Sequence, residues 1–489
     1  MSTTDNFNAT FVSALDPAIL WRHFDHILAI PRGSKNEEGM RQYVRSVAAA
    51  HGLATTTDAA GNVVVRVPAT AGRERAAPLA LQSHLDMVCE KNSDVVFDFA
   101  VDAIRPRREG DYLYATGTTL GSDNGIGVAA MLAVMESRDL VHGPLELLFT
   151  FDEETGLTGA AELDPRSLTA KRLLNLDTEE EYAIYVGCAG GVDTVASTTV
   201  ARVAPAAGAA AFRIAVTGLR GGHSGCDIHE GRVNALKVLA RAVSEAEAQG
   251  FAVATLDGGS KRNAIAREAF AAGWLAPARE ADVKAALAKV EAEVRSEAGR
   301  FDNPVNIALE QADAAPNPMA LSDAKRLVGF IHAAPHGVLG WSPDIPGLVQ
   351  TSTNLAIVET KGDEVSFATS QRSSVDSAKK DAGRQMVTAM ELAGLTVMQG
   401  DGYPGWKPNV SSPILGVAKT VHAELFGREP EVKAIHAGLE CGIIGEKFPG
   451  MDTISFGPTI RNAHSPDECV SIPSVASFWK YLTALLPRM

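Results

Sequence analysis

Short apolar runs alternate with helical patterns between Pro78 and Asp177, and this alternation constrains the fold more than any other feature. The runs PLALQS, PLELLFTF and RLLNL are continuous, whereas GIGVAAMLAVMES has the length of a helix. Continuous apolar runs separated by helices are typical of buried strands in a largely parallel or mixed sheet. The pattern returns near the end of the chain, where MDTISFG predicts a strand and SVASFWKYLTALL predicts a closing helix.

A second pattern begins near Arg202, after the alanine-rich segment RVAPAAGAAA. AFRIAVTG, GRVNALKVLARAVSEAEAQ and NAIAREAFAAGWLA predict a strand, a helix and further strands, and a block of similar order follows. That block has a helix from Asp323, the strands TSTNLAIVET and EVSFATSQRS, and a helix from Ala378 to Leu392. The two blocks indicate one inserted domain made of two related α/β halves. We therefore predict a main domain over residues 1–200 and 396–489, and an inserted domain over 201–395.

One further segment, ADVKAALAKVEAEVRSEAGR, is rich in strong helix formers with interleaved charges. This composition predicts a solvated surface helix with no other role.

Composition and charge disfavour several classes of protein. The 59 acidic and 45 basic residues give a formal charge of −14, which repels the phosphates of nucleic acids. The start MSTTDNFNATFVSALD is unlike a signal peptide, and no apolar run approaches the 18 residues that a membrane span needs. Five cysteines without a CxxC pair are unlike a secreted disulfide framework. We expect a cytoplasmic protein that binds neither nucleic acid nor membrane.

Four of the strand-like runs end in side chains that can bind metal ions. They are His84 and Asp86 in SHLDM, Glu153 and Glu154 in FTFDEETG, Asp177 in LLNLDTEE, and His464 in SFGPTIRNAHSPDE. Ligands of open α/β sheets gather beyond the carboxyl ends of the strands, so these groups can converge although they are far apart in sequence. Zinc accepts imidazole nitrogen and carboxylate oxygen, and two ions need two histidines with carboxylates that they share.

Each of these side chains also has an ordinary explanation. Asp123, in TLGSDNGIGVAAML, precedes a helical pattern and would suit a helix N-cap. The segment GSDNGIG lacks the spacing of a dinucleotide-binding loop. A histidine beside a strand is more often a satisfied polar residue, paired acids are usually a solvated face, and Asp86 could be a plain strand-end acid. The combination, more than any single residue, favours a metal site.

Six motifs occur in the order HLD, SDNG, DEETG, NLD, GGHSG and AHSPDE. In this order they resemble the co-catalytic zinc peptidases of the M20 family, and within it the branch of cytosolic non-specific, or aminoacyl-histidine, dipeptidases. The resemblance covers nearly the whole chain, including SPDIPGLVQTSTNLA and HAGLECG. It implies a mixed-sheet α/β/α main domain of the phosphorylase/hydrolase-like type. It also implies an inserted α+β lid domain, and a homodimer formed through that lid.

The resemblance also implies roles for the motif residues at the metal centre. His84 and Asp177 would bind one zinc ion, Glu154 and His464 would bind the other, and Asp123 would bridge both. Manganese or cobalt can replace zinc in carboxylate-rich sites. Glu153 would be the general base, and Asp86 would orient His84 and raise its basicity.

Four further residues match motifs that contact the substrate. His223 in GLRGGHSG resembles the second oxyanion donor; the alternative is a turn histidine without a role. Arg372 in ATSQRSSVDS resembles the residue that pairs with the free C-terminal carboxylate of the substrate. Asn263 in KRNAIA and the backbone at Gly438 in HAGLECG would assist it. Five other histidines match no motif and are predicted to be structural: His229, His332, His336, His422 and His436.

These inferences predict a dipeptidase that hydrolyses short peptides, including Xaa-His dipeptides, with water activated by two zinc ions. An amidohydrolase of the same fold that cleaves N-acyl amino acids is the nearest alternative, because its metal ligands would look alike. An inactive homologue that acts as a binding module is a third. It predicts the loss of a ligand or of the base, whereas Glu153 and all five candidate ligands are present.

Overall fold

The chain divides into two units in the computed structural model, which describes residues 9–299 and 305–489. The first unit comprises the described residues of Met1–Gly187 together with Pro408–Ala434 and Leu439–Met489. The second comprises those of Cys188–Lys407 together with Ile435–Gly438.

The first elements of the chain, up to β8 at the boundary between the units, follow a short 3₁₀ helix at Phe11–Ala14. The helices are α1 (Ala18–Leu28), α2 (Glu38–Ala50), α3 (Ser122–Glu136), α4 (Glu153–Gly156) and α5 (Thr158–Glu162). The strands are β1 (Ala54–Thr57), β2 (Val63–Val67), β3 (Leu79–His84), β4 (Pro106–Glu109), β5 (Tyr112–Ala115), β6 (Leu145–Thr150), β7 (Arg172–Asn175) and β8 (Ala183–Cys188).

The second unit contains longer strands and four helices, with 3₁₀ helices at Ile228–Glu230 and Pro277–Arg279. The helices are α6 (Ala235–Glu247), α7 (Glu280–Ala298), α8 (Leu321–Ala333) and α9 (Asp376–Leu392). The strands are β9 (Gly190–Thr199), β10 (Ala210–Thr217), β11 (Gly222–His223), β12 (Ala252–Val253), β13 (Asp257–Gly258), β14 (Ala264–Ile265), β15 (Ala269–Leu275), β16 (Asn306–Gln311), β17 (Gly337–Trp341), β18 (Val349–Lys361), β19 (Glu364–Ser373) and β20 (Thr396–Gln399).

The remaining elements lie in the last eighty residues of the chain and end with a 3₁₀ helix at Leu486–Arg488. They are α10 (Pro413–Phe426), β21 (Glu431–Ile435), α11 (Glu440–Lys447), β22 (Asp452–Ser455), β23 (Ile460–Arg461), β24 (Cys469–Ser471) and α12 (Ile472–Leu485).

An eight-stranded mixed sheet organises the first unit, in the order β1-β2-β6-β3-β7-β22-β8-β21. The neighbours β6, β3, β7 and β22 run parallel. Every residue of β3 and β6 is buried, which explains why both read as continuous apolar runs rather than alternating ones. The predicted mixed-sheet α/β class is confirmed.

The register of these parallel strands brings four motifs to one edge of the sheet. His84, at the end of β3, lies beside Thr150, at the end of β6. Gln82 lies beside Asn175 in β7, and Asn175 lies beside Ser455 in β22. Because all four strands point the same way, the segments that follow them leave the sheet at the same edge.

A ten-stranded sheet organises the second unit, with its main path in the order β16-β10-β15-β13-β18-β19-β9-β20. Both blocks recognised in the sequence contribute strands to this one sheet. Phe212 and Phe367 of this sheet form one buried core with Leu239, Leu327 and Met386 of helices α6, α8 and α9.

Helix α7 differs from its prediction as a solvated helix. One of its faces is exposed, but Val283, Leu287, Val290 and Val294 are buried in the core of the second unit. The four residues recur at intervals of three or four, which is the spacing of a single helix face. The interleaved charges on the opposite face masked this pattern. Within the described part of the chain, no helix combines the length and apolar character of a membrane span.

The sheet that carries the motifs should be sensitive to loss of volume. Phe149 in β6 is fully buried. We expect Phe149→Ala to lower the free energy of unfolding by about 3–5 kcal/mol, because it removes buried apolar surface and leaves a cavity. Val96→Ala is the control, since Val96 is 95% exposed and should change stability by less than about 0.5 kcal/mol. Urea unfolding followed by circular dichroism measures both, and equal midpoints for the two variants would contradict the prediction.

Candidate metal centre

His84 faces three carboxylates at the end of β3. Its imidazole is 1% exposed, and Nε2 lies 3.1 Å from Asp123 Oδ1 and 3.3 Å from Asp177 Oδ1. On the other side of the ring, Nδ1 lies 3.3 Å from Asp86 Oδ1. One ring nitrogen therefore points to two candidate ligands, while the other is left for Asp86.

His464 occupies the matching position on the other side of Asp123. Its Nε2 lies 3.1 Å from Glu154 Oε2 and 3.3 Å from Asp123 Oδ2. The two oxygens of Asp123 thus face different histidines. Residues 380 positions apart in sequence meet around one carboxylate, which is the arrangement that a bridging ligand requires.

The backbone at the start of α3 directs Asp123 toward the histidines. Asp123 and Asn124 have non-helical dihedral angles, with φ −82° and ψ 114° at Asp123. Gly121 adopts φ +70° in the turn before them, so regular helical dihedral angles begin only after Asn124. The extended backbone at Asp123 releases its carboxylate from the helix axis.

Asp86 contacts the backbone of Glu153 and Glu154 in addition to His84. Its two carboxylate oxygens accept the backbone N–H groups of Glu153, at 3.1 Å, and Glu154, at 3.2 Å. Ser34 Oγ donates to Asp86 Oδ2 at 2.8 Å. Burial raises the pKa of Asp86, but the bonds from His84, Ser34 and the Glu153 amide outweigh burial and bring it to about 2. Asp86 is therefore an ionised anchor for both strand ends.

Negative charge accumulates in the cluster. Burial, together with the charges of Asp123 and Glu154, raises the pKa of Asp177 to about 6. Burial also raises the pKa of Glu153 well above its usual range, and the Asp177 and Glu154 carboxylates add to the effect. Hydrogen bonds to Asp123 and Glu154 raise the pKa of the His464 imidazole to about 11. Each shift has the sign expected of a site that attracts a cation.

The donor set fits a metal ion. Ligand atoms of His84, Asp123 and Glu154 all lie within 4.8 Å of one another. Oε1 of Glu154 is buried and has no hydrogen-bond partner among the described residues, which is unfavourable unless a ligand satisfies it. Imidazole nitrogens combined with carboxylate oxygens suit zinc, and also manganese or cobalt.

Glu468 is a buried carboxylate that the sequence did not single out. It accepts the backbone N–H groups of Leu120, Gly121 and Ser122 at 2.7–3.0 Å, and the Ser122 hydroxyl at 2.6 Å. These contacts fix the turn that precedes Asp123. The signal available in the sequence was its place at the end of the AHSPDE motif, four residues after His464.

Arg32 supports the same turn from the other side. The guanidinium is 2% exposed and donates to the backbone carbonyls of Leu85 (3.1 Å), Asp86 (2.7 Å) and Gly121. Arg32 thereby links the end of β3 to the turn before α3. Nothing in the sequence around Arg32 marked it as different from other arginines.

Glu440 is a second buried acid without a predicted role. It lies at the start of α11 and is fully buried, and its Oε2 accepts Gln82 Nε2 at 2.5 Å and Thr150 Oγ1 at 2.7 Å. Gln82 Oε1 in turn accepts Asn175 Nδ2 at 2.5 Å. Burial raises the pKa of Glu440 to about 7. The network joins β6, β3 and β7 beneath the edge that carries the cluster.

The other four predicted site residues, His223, Asn263, Arg372 and Gly438, belong to the second unit. His223 Nδ1 accepts the backbone N–H groups of Gly225, at 3.2 Å, and Cys226, at 3.0 Å. The backbone carbonyl of Asn263 accepts the Ser224 amide at 2.8 Å, so the Asn263 loop is tied to the His223 loop.

Arg372, in β19, is 9% exposed, and no ion pair among the described residues involves it. His436, predicted to be structural, bonds through Nε2 to Ser352 Oγ at 2.7 Å. Burial, with the nearby charge of Arg372, lowers the pKa of His436 to about 3. The His436 imidazole near Arg372 is therefore neutral.

Comparison with known proteins gives matches over nearly the whole chain. A family model described as Peptidase family M20/M25/M40 matches residues 80–488. The cytosol non-specific dipeptidase of Escherichia coli K12 is 41% identical over 482 residues, which are 98% of this chain and 99% of that protein. The aminoacylhistidine dipeptidase of Vibrio alginolyticus has a crystal structure that matches with a TM-score of 0.90 and 39% identity, covering 98% of both chains. A tripeptidase from Staphylococcus aureus matches with a TM-score of 0.57 and 17% identity, covering 97% of this chain and 98% of that one, and so shares the fold.

The turn anchored by Glu468 should control metal affinity. In Glu468→Gln an amide nitrogen replaces one acceptor oxygen, so backbone N–H groups of the turn lose their partner and Asp123 loses its fixed position. We expect metal affinity to fall by about 10–100-fold, as for other groups that orient ligands. Asp467→Asn is the control, because Asp467 is the exposed neighbour. Calorimetric titration with zinc measures both affinities. An affinity in Glu468→Gln equal to that of the control would contradict the role.

Glu440 should make stability depend on pH in the chelator-treated protein. Its pKa of about 7 in the folded state lies above the unfolded value, so its contribution is full at pH 4 and is lost as the pH rises through 7. Relative to Glu440→Gln, the unsubstituted protein should lose roughly 3 kcal/mol between pH 4 and 8.

The control for this measurement is Glu446→Gln, at an exposed position of the same helix. Urea unfolding at a series of pH values measures the difference. Parallel pH profiles for the unsubstituted protein and Glu440→Gln would show that the buried carboxyl does not titrate in this range.

Proposed function

The chain belongs to peptidase family M20/M25/M40, and from this membership we propose that it is a metallo-dipeptidase, which hydrolyses dipeptides, Xaa-His dipeptides among them, with two zinc ions. The prediction of a peptidase-family hydrolase is confirmed by the family match. The names of the relatives from E. coli and V. alginolyticus, which match over their whole length, support the dipeptidase activity. The observation that carries the proposal is Asp123, with one carboxylate oxygen facing each of two histidines.

The distances favour two groups of ligands that share Asp123. His84 and Asp177 would hold one ion, with Asp123 Oδ1 beside them. Glu154 and His464 would hold the other, with Asp123 Oδ2 beside them. When bound, such ions lower the pKa of water to about 7 and polarise the scissile carbonyl. Manganese or cobalt would serve the same ligands.

Glu153 is the general base in this proposal. Its carboxylate has no hydrogen bond or ion pair with another described residue, whereas its neighbour Glu154 is committed to His464. The Glu153 amide is fixed by Asp86, so the side chain projects from a held backbone. A carboxyl with a raised pKa can take the proton of the attacking water and keep it until the leaving amine accepts it.

His223 would donate a hydrogen bond to the oxyanion. Because its Nδ1 accepts two backbone N–H groups, the proton of the neutral ring is on Nε2. Burial, and then the charge of Arg372, lower the pKa of His223, which keeps the ring neutral at pH 7. A fixed N–H donor of this kind is suited to charge that develops on the carbonyl oxygen.

Arg372 would bind the C-terminal carboxylate of the substrate. A buried guanidinium without an acidic partner is unfavourable unless an anion binds it. Arg372 is in this condition, since its Nε is buried and unpartnered among the described residues. Asn263 and the backbone at Gly438 would assist in holding the peptide.

Short peptides are therefore the partners that we propose, with no nucleic acid or membrane. We also propose that the enzyme acts in the cytoplasm, as the name of the E. coli relative says of that protein, and as a homodimer formed through the inserted domain.

A substrate panel tests this function. We expect the zinc-loaded protein to hydrolyse Ala-His and β-Ala-His, and to leave a tripeptide and an N-acetyl amino acid largely intact. Chelation should abolish activity, and zinc, manganese or cobalt should restore it. Hydrolysis of the N-acetyl compound alone would identify an amidohydrolase, and no hydrolysis by the metal-loaded protein would identify a binding homologue.

The base is tested within the same panel by Glu153→Gln. The change should lower kcat by about 10²–10⁴-fold, because proton transfer is lost, while two ions per chain remain bound. Glu162→Gln, at an exposed position, is the control.

A further inference from the structure

Tyr403 meets the Arg372 guanidinium inside the second unit. Arg372 Nη1 donates a hydrogen bond to Tyr403 Oη at 3.0 Å. Tyr403 is half-buried, and burial raises the pKa of its phenol. The hydroxyl is therefore a neutral acceptor at physiological pH, in contact with a side chain that has no acidic partner among the described residues.

The ring of Tyr403 packs between two glycines, Gly191 and Gly438. A Cβ at Gly191 would lie 2.8 Å from the ring, and a Cβ at Gly438 would lie 3.1 Å from it. The backbone of Tyr403 is also paired with Gly191, since Tyr403 N donates to Gly191 O at 2.8 Å and Gly191 N donates to Tyr403 O at 3.2 Å. Lys379 Nζ donates to the same Tyr403 carbonyl. These contacts hold the Tyr403 hydroxyl in a fixed position.

The hydrogen bond leaves one edge of the guanidinium open. Nη1 lies on the side of the group that faces the Cδ atom, whereas Nε–H and Nη2–H lie together on the other edge. That edge has no partner: Nε is buried without a hydrogen bond, and Nη2 has none among the described residues. Two parallel N–H groups on one edge match the two oxygens of a carboxylate.

We propose that Tyr403 is a positioning residue that fixes the Arg372 guanidinium so that its Nε–Nη2 edge receives the carboxylate of the peptide substrate. The inference rests on the proposed role of Arg372 and assigns to Tyr403 no contact with the substrate or the reacting atoms. It also gives a reason for glycine at 191 and 438, because a side chain at either position would displace the ring.

The test compares a dipeptide with its C-terminal amide, which lacks the carboxylate. Tyr403→Phe keeps the aromatic ring between the two glycines and removes the hydroxyl that accepts the hydrogen bond from Arg372. We expect the KM for Ala-His to rise by about tenfold, as for loss of a hydrogen bond to a charged group, while kcat changes by less than about twofold. The KM for Ala-His amide should stay within about twofold, since the amide makes no bidentate pair. Tyr43→Phe is the control, because it removes a hydroxyl bonded to His23 in the first unit.

Arg372→Lys separates this inference from the function on which it rests. If Arg372→Lys no longer distinguishes the acid from the amide, the role of Arg372 stands. An unchanged KM for Ala-His in Tyr403→Phe would then overturn the role of Tyr403 alone. If Arg372→Lys distinguishes them as well as the unsubstituted enzyme does, the carboxylate role of Arg372 is overturned as well.

The double variant Tyr403→Phe/Arg372→Lys tests whether Tyr403 acts only through Arg372. A residue that acts only by orienting Arg372 should have no further effect once the guanidinium is gone. We therefore expect Tyr403→Phe in the Arg372→Lys background to change KM by less than about twofold. A further tenfold rise in the double variant would overturn the proposal by showing that Tyr403 acts independently of Arg372.

Discussion

The repulsion among carboxylates gathered at one edge of a parallel sheet is the constraint on which the first unit depends. Asp123, Glu154 and Asp177 lie around two histidines. Burial, and then the charges of Asp123 and Glu154, raise the pKa of Asp177. Like charges in a buried site can persist only when a cation is bound or a proton is taken up. The same repulsion that opposes folding of this edge therefore supplies its affinity for metal ions.

The groups that hold this edge act mainly through the backbone. Glu468 and Asp86 are held largely by backbone N–H groups and hydroxyls. Arg32, the buried cation beside them, directs its hydrogen bonds to backbone carbonyls. Partial charges of the backbone fix the geometry of these carboxylates, and the full charge of Arg32 acts on Glu468, Asp86 and Asp123 while its hydrogen bonds go to carbonyls. Rigidity and metal affinity are thus compatible at the same edge.

The sequence predicted the parts of this architecture that have a period or a motif. The buried strands could be recognised because both of their faces are apolar, and the family, the enzyme class and the mixed α/β fold are confirmed. The prediction for helix α7 gave the helix and its solvated face but missed the buried face, because the apolar residues are interleaved with charges from the opposite face. Glu440 shows why other buried polar residues were not predicted. It contacts Gln82, which is more than 350 positions away, and a single acid near the start of a helix is usually exposed to solvent.

The contact of Tyr403 with Arg372 resembles the contacts that hold Glu468 and Asp86, because the partner atoms are polar and uncharged. An aspartate in place of the phenol would hold the guanidinium more tightly, but it would neutralise the charge and compete with an anionic ligand for the same N–H groups. A neutral oxygen fixes the orientation and leaves the whole charge available. At Arg372 a neutral phenol sets the geometry, whereas around Asp123 backbone N–H groups and hydroxyls hold the supporting carboxylates. The charge at each place, negative around Asp123 and positive at Arg372, is left for what binds there.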